Sequence, residues 1–292
     1  SQADLTKLVS CDSPQEYVNN HEGCANPDNW NWKEGIYGSN FVKRASSRGM
    51  RVCLTIKNAK WNRYADAPDS EETMPKNLEV WVDMVKKIVN HYQGAVSYVE
   101  FFNEVDRSPQ FLTEGSPYDR KTGYTRVVKR GLEAIKSSEH PETPGGGPAS
   151  ASVGVQPIRW LLSDPEIQKN LGVITFHDFD NPYYPHEAIG FYRRTLLKYH
   201  LDIPLVMSSN IPEFERSGGL PGTLYPEPIA HKLIGALKDG IEACAFWEVQ
   251  NKGGQGDPRY WFDGERTVNT AHLIDMMSNV LKLGEGKSKI VR

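Results

Sequence analysis

Residues 99–106 read Val-Glu-Phe-Phe-Asn-Glu-Val-Asp, an apolar run that ends in an amide and a carboxylate. A strand of that character should stop at a turn, yet it runs into Asn103 and Glu104. Partial burial beside aromatic rings disfavours the charged form of a carboxylate, so Glu104 suits a general acid. The Asn103 amide beside it could hold a substrate hydroxyl. The plain alternative is a helix-capping Asn next to a solvated Glu. A second run, "IPLVMSSN" (203–210), is apolar until it breaks into Ser208, Ser209 and Asn210. Hydroxyls without a paired base are poor nucleophiles. His177 and Asp178 end a third run, "GVITFHDF", and could hydrogen-bond a substrate or orient a nucleophile. Trp247 and Glu248 lie in "GIEACAFWEV" (240–249), while Trp30, Trp61 and Tyr183 fall in loop-like contexts. Each of these rings could equally be packing.

The elements that must position these residues alternate along the chain. Strand-like runs occupy 51–57, 96–102, 172–179, 203–209 and 240–249, with a weaker one at 145–153 and another candidate in "LTKLVSC" (5–11). Helical patterns separate them: "NFVKRASSRG", "LEVWVDMVKKIVNHYQG", "YTRVVKRGLEAIKSS", "EAIGFYRRTLLKYH", "EPIAHKLIGALKDG" and "TAHLIDMMSNVLKL". Strand–helix alternation at this spacing predicts parallel βαβ units. No GxGxxG follows the first strand and no GxxxxGK[ST] occurs, which weakens a nucleotide-binding open sheet. Polar and aromatic residues instead gather at the C-terminal ends of strand after strand, where a (β/α)₈ barrel builds its active site. The expected fold class is therefore α/β, a TIM barrel forming one domain over residues 1–292. Six or seven strands are legible. The first is either irregular and hidden in residues 1–12, or sequence lies upstream.

Composition limits the partners. The chain has 292 residues, with 34 basic and 37 acidic side chains. It carries no basic stripe for nucleic acid and no apolar run of the roughly 20 residues that span a bilayer. Cys53 and Cys244 sit in apolar runs and are expected to be buried thiols; Cys11 and Cys24 flank a polar loop that a disulfide could close. Nothing resembles a zinc motif, so no metal is expected. Seven Trp and thirteen Tyr form an aromatic excess. The oligomeric state is not encoded in any pattern found.

The strand followed by "FFNEVD" resembles the Asn-Glu motif that ends the fourth strand of clan A glycoside hydrolases, the retaining (β/α)₈ glycosidases. "GGGPASAS" (145–152) is similar to the fifth strand of the family 39 type, "ITFHDF" (174–179) to its sixth, and "FWEVQN" (246–251) to the eighth. The segment from Asn26 to Ile56 also resembles that clan. The likeness spans roughly residues 26–280, and its order and spacing are more specific than any one motif.

The resemblance implies that Glu104 is the general acid/base and that Asn103 binds the hydroxyl next to the anomeric carbon. It makes His177, Asp178, Tyr183, Trp247, Glu248, Trp61 and Trp30 candidates for contact with an oligo- or polysaccharide. It expects no cofactor, because two carboxylates suffice for retaining hydrolysis. A secreted or periplasmic protein is expected rather than a cytoplasmic one. The nucleophile should end strand seven, where this sequence places Ser209. Three readings of that departure stay open: a variant disabled by Glu-to-Ser replacement, a nucleophile supplied by Glu213 or Glu215, and a carbohydrate-binding barrel that does not hydrolyse.

Overall fold

The computed structural model describes residues 2–3, 5–32, 39–107, 109–151, 155–177, 186–209, 235–236, 238–245, 262–263 and 266–267. Seven strands form one sheet: β1 Gln2–Ala3, β2 Cys53–Ile56, β3 Tyr98–Phe101, β4 Gly145–Ser150, β5 Val173–His177, β6 Leu205–Ser209 and β7 Ala243–Cys244. They lie side by side in chain order, and each pair is parallel. A doubly wound sheet reverses its order at a switch point, whereas a barrel does not. A small antiparallel pair, β8 Phe262–Asp263 and β9 Arg266–Thr267, stands apart from this sheet.

Side-chain contacts across the sheet require it to curl. Strands sit about 4.8 Å apart, so β3 and β6 would be roughly 14 Å apart in a flat sheet. Yet the Ser208 hydroxyl on β6 donates to Glu100 Oε2 on β3 at 2.6 Å. Arg51, just before β2, forms an ion pair with Glu242, just before β7, across five strand steps. The described residues thus form a partial parallel α/β barrel.

Helices cover the outside of the curl. They are α1 Leu5–Leu8, α2 Pro14–Asn19, α3 Ser39–Ser47, α4 Leu78–Tyr92, α5 Arg120–Lys136, α6 Val155–Leu162, α7 Pro165–Asn170 and α8 His186–Lys198. In α4 the residues Trp81, Met84, Val85 and Ile88 are fully buried, one face at helical spacing. Asn77 caps its start by accepting from Val80 N at 3.1 Å. Its end turns left-handed through Gln93 (φ 49°) and Gly94 (φ 78°). Trp81 then meets Phe101 of β3 edge to face at 5.7 Å. Gly146 in β4 has a different reason to be glycine: a Cβ there would run into the Val173 carbonyl oxygen of the neighbouring strand.

Two expectations need correction. "LTKLVSC" is not a strand, because Leu5 and Leu8 are one helical turn apart and both buried, which suits α1. The strand beside β2 lies just upstream, at Gln2–Ala3. Cys53 and Cys244 are only partly buried, Cys53 beside Tyr98, Val173 and Val206 and Cys244 beside Met207. Cys11 and Cys24 are joined in a disulfide. The helical patterns predicted at 227–240 and 270–283 fall largely or wholly outside the described residues, as does the part of the expected run 240–249 beyond Ala245.

Candidate active site

All seven strands point the same way, so the segments that follow them share one rim. β3 ends at Phe101, and the chain then passes through Phe102 (φ 63°) and Glu104 (φ 44°), both left-handed. Ala149 near the end of β4 is left-handed too (φ 51°) and accepts the Glu104 amide at 2.9 Å. Each such residue costs about 1–2 kcal/mol. Backbone strain of this kind clusters at functional sites.

The turn brings the Glu104 side chain inward, and the residue is 8% exposed. Its Oε1 lies 3.0 Å from Nδ1 of His177, which ends β5 and is also buried. One proton is shared in that contact: imidazole donates to an ionised Glu104, or protonated Glu104 donates to the ring. Arg107 Nη1 stands 3.9 Å from the other carboxylate oxygen, on an exposed side chain. Asn103 is partly exposed between buried Phe102 and Glu104.

Further charged groups surround this pair. Asp106 accepts the Ala151 amide at 2.9 Å, and burial pushes its carboxyl above the ordinary value, helped by the nearby Glu104 charge. Lys57, just past β2 and buried, pairs with Glu72. Burial raises the Glu72 carboxyl, the Lys57 ammonium opposes that rise, and the charges of Glu71 and Glu104 add to it. Below the rim, Glu100 on β3 is 1% exposed. Its two oxygens accept from Thr55 at 2.8 Å and from Ser208 at 2.6 Å, so it ties β2, β3 and β6 together through the barrel interior.

These groups were missed or passed over in the sequence. Glu100 had a legible signal, a single acid inside an otherwise apolar strand. Asp106 closes the same motif. Lys57 ends a strand, whereas Glu72 sits in an acidic loop with nothing to distinguish it from Glu71.

Of the sequence candidates, Glu104, Asn103 and His177 fall together. The backbone of Ser209 pairs in register with His177, after an irregularity between Phe176 and His177, which sets position 209 on the strand beside the Glu104 partner. Ser208 is occupied by its bond to Glu100. Trp61 is partly buried, stacked on Tyr17 at 5.9 Å, with its indole N–H donating to Val9 O at 3.2 Å. Trp30 is 5% exposed and donates to Cys24 O at 2.9 Å, so little of its ring can meet a ligand. Asp178, Tyr183, Trp247 and Glu248 lie outside the described residues. Among the described residues, Cys11, Glu16 and Cys24 come close enough to resemble a metal site, but the two sulfurs are bonded to each other.

No protein-family model matches the chain. No curated protein matches it either. Solved structures do. A glucosidase from Croceicoccus marinus superposes with a TM-score of 0.68 at 16% identity, covering 94% of this chain and 59% of that one. A glycoside hydrolase family 30 subfamily 8 xylanase from Clostridium acetobutylicum gives 0.61 at 13%, covering 91% and 62%. A hyperthermophilic beta-glucosidase from Pyrococcus furiosus gives 0.60 at 11%, covering 96% and 80%. The chain therefore spans about three-fifths of the length of the first two, and at such identities the likeness concerns the fold. That fold is the one glycoside hydrolases use.

Proposed function

We propose that this chain is built as a retaining glycoside hydrolase of (β/α)₈ type acting on a β-linked oligo- or polysaccharide. The observation that carries the reading is the buried Glu104–His177 pair at the C-terminal rim of a parallel barrel sheet. Glu104 would protonate the leaving oxygen and later deprotonate water. His177 fixes the carboxyl group and is a place for its proton to rest. Asn103 is the hydroxyl-binding neighbour, and Asp178, Tyr183, Trp247 and Glu248 would complete the sugar site. The structural neighbours named as glucosidases and xylanases support this class, and the motif order favours a clan A enzyme of the family 39 type.

Retaining hydrolysis needs a second carboxylate about 5 Å from the first. Position 209 on β6 is where it belongs, and serine there can neither attack an acetal well nor stabilise the developing positive charge. On this reading Ser209 marks an enzyme disabled by Glu-to-Ser replacement; Glu213 and Glu215, the other candidate nucleophiles, lie outside the described residues, and a non-hydrolytic carbohydrate-binding barrel is the second reading. The disulfide between Cys11 and Cys24 supports an oxidising compartment, such as the periplasm or the exterior.

Assay of Ser209→Glu with aryl β-glycosides and soluble β-glycans separates the two. Recovered hydrolysis supports the disabled enzyme. Measurable glycan binding with no gain in hydrolysis favours the binder.

A further inference from the structure

Two strands gain an extra residue near the level of the Glu104–His177 pair, one on each side of β5. On β4, Pro148 pairs with Thr175 and Ser150 with Phe176, so Ala149 is the extra residue. On β6, Met207 pairs with Phe176 and Ser209 with His177, so Ser208 is the extra residue. An insertion of this kind bends its strand and re-aims the residues beside it.

Each insertion is tied down by a polar side chain. Ala149 N donates to the buried Thr175 Oγ1 at 3.1 Å, while Ala149 O accepts the Glu104 amide at 2.9 Å. The insertion on β4 therefore holds the backbone of residue 104. On β6 the Ser208 hydroxyl donates to Glu100 Oε2 at 2.6 Å, and Thr55 donates to Oε1 at 2.8 Å. Glu100 is fixed in the sheet, where it pairs with Thr55 of β2 and Gly146 of β4. The insertion on β6 thus holds the backbone that leads into residue 209.

Packing alone does not account for Glu100. The residue is 1% exposed, and burying a carboxylate is costly, whereas an apolar side chain would fill the interior without that cost. What an apolar residue cannot supply is an anchor of fixed direction for the Ser208 hydroxyl. The bond from Thr55 keeps that anchor from turning away. Such precision matters at residue 209, because retaining hydrolysis needs its two carboxylates about 5 Å apart. A misplacement of about 1 Å can cost about 100-fold in rate.

We infer that Glu100 is a positioning residue for the nucleophile: it holds Ser208, the extra residue of β6, and so sets the backbone at 209 against the Glu104–His177 pair. The inference rests on the glycosidase reading above and deepens it, by naming what aims the second catalytic position.

The test uses the Ser209→Glu chain and dinitrophenyl β-glycosides (gluco, xylo, manno and galacto) that carry fluorine next to the anomeric carbon. A carboxylate oxygen bonds to the anomeric carbon as the bond to dinitrophenolate breaks, and the phenolate leaves with the electron pair. That leaving group needs no proton, so the rate of covalent loading reports the nucleophile rather than Glu104. Ser208→Ala, Ser208→Thr and Glu100→Gln are compared in this background, with melting midpoints recorded. The expected result is a limiting loading rate lowered about 10- to 100-fold by Ser208→Ala, with the half-saturating concentration unchanged. Ser208→Thr returns the hydroxyl and the rate. Glu100→Gln has one oxygen for two hydroxyls and gives an intermediate loss; being isosteric, it carries the test if Ser208→Ala does not fold. A loading rate unchanged in the folded variants, whatever their melting midpoints, overturns the positioning role and leaves the glycosidase reading standing. Neither loading nor hydrolysis of aryl β-glycosides by folded Ser209→Glu overturns both.

Discussion

Glu104 concentrates the account at the residue scale. Its carboxyl is buried and faces His177, which is the setting the proposed proton donor needs. In a Ser209→Glu background, Glu104→Gln should slow hydrolysis of alkyl or sugar leaving groups by about 10²–10⁴-fold. Activated dinitrophenyl glycosides should be affected far less, since their leaving group needs no proton. Rates with the two substrate types are the measurement, and equal losses would remove Glu104 from the acid role. Asp106 makes a separate prediction. Burial raises its pKa, so the folded chain holds that proton more tightly than the unfolded one. The stability this confers is complete below the unfolded pKa of about 3.9 and is lost as pH rises through the raised value. Asp106→Asn abolishes that loss while keeping an acceptor for the Ala151 amide. Urea midpoints should therefore favour the variant increasingly from pH 3 to 7, read on a scale where about 3.9 marks the start.

At the scale of elements, β3 is the central one. It supplies Glu100 to the barrel interior and, beyond its end, Glu104 to the rim. Ser208 on β6 completes the shell of Glu100. Its removal leaves a buried carboxylate oxygen short of a donor. Ser208→Ala should cost about 1–3 kcal/mol in urea unfolding with an unchanged slope. A neutral effect would mean that Glu100 does not hold β6 in place. Much of this was legible in advance. The Asn-Glu ending of β3 and the His ending of β5 stood out because polar groups interrupt apolar runs. Glu100 is legible as a lone acid among Val, Phe and Tyr, but that it faces the barrel interior depends on the curl of the sheet. "LTKLVSC" misled for another reason: a seven-residue run with apolar residues at both spacings suits strand and helix alike.

Across the whole molecule, the order of strands was readable and their closure was not. Alternating strands and helices predicted parallel units, but only contacts between distant strands distinguish a curled sheet from an open one. Ser208 with Glu100, and Arg51 with Glu242, are such contacts. The disulfide acts on this scale as well, by closing residues 11–24 of the long segment between β1 and β2 into a loop. Its ends are 13 residues apart, and a loop of that size is worth about 3 kcal/mol of stability. Cys11→Ser/Cys24→Ser should lower the unfolding midpoint accordingly while leaving β3 and its site intact.

On the proposed reading, position 209 lacks the nucleophile of a retaining glycosidase whose acid/base is Glu104. Proton NMR of aryl β-glycoside hydrolysis by folded Ser209→Glu tests it most directly. The expected result is turnover in which the β-anomer of the sugar appears first. A folded variant that binds glycan and releases no sugar, or releases the α-anomer first, would contradict it.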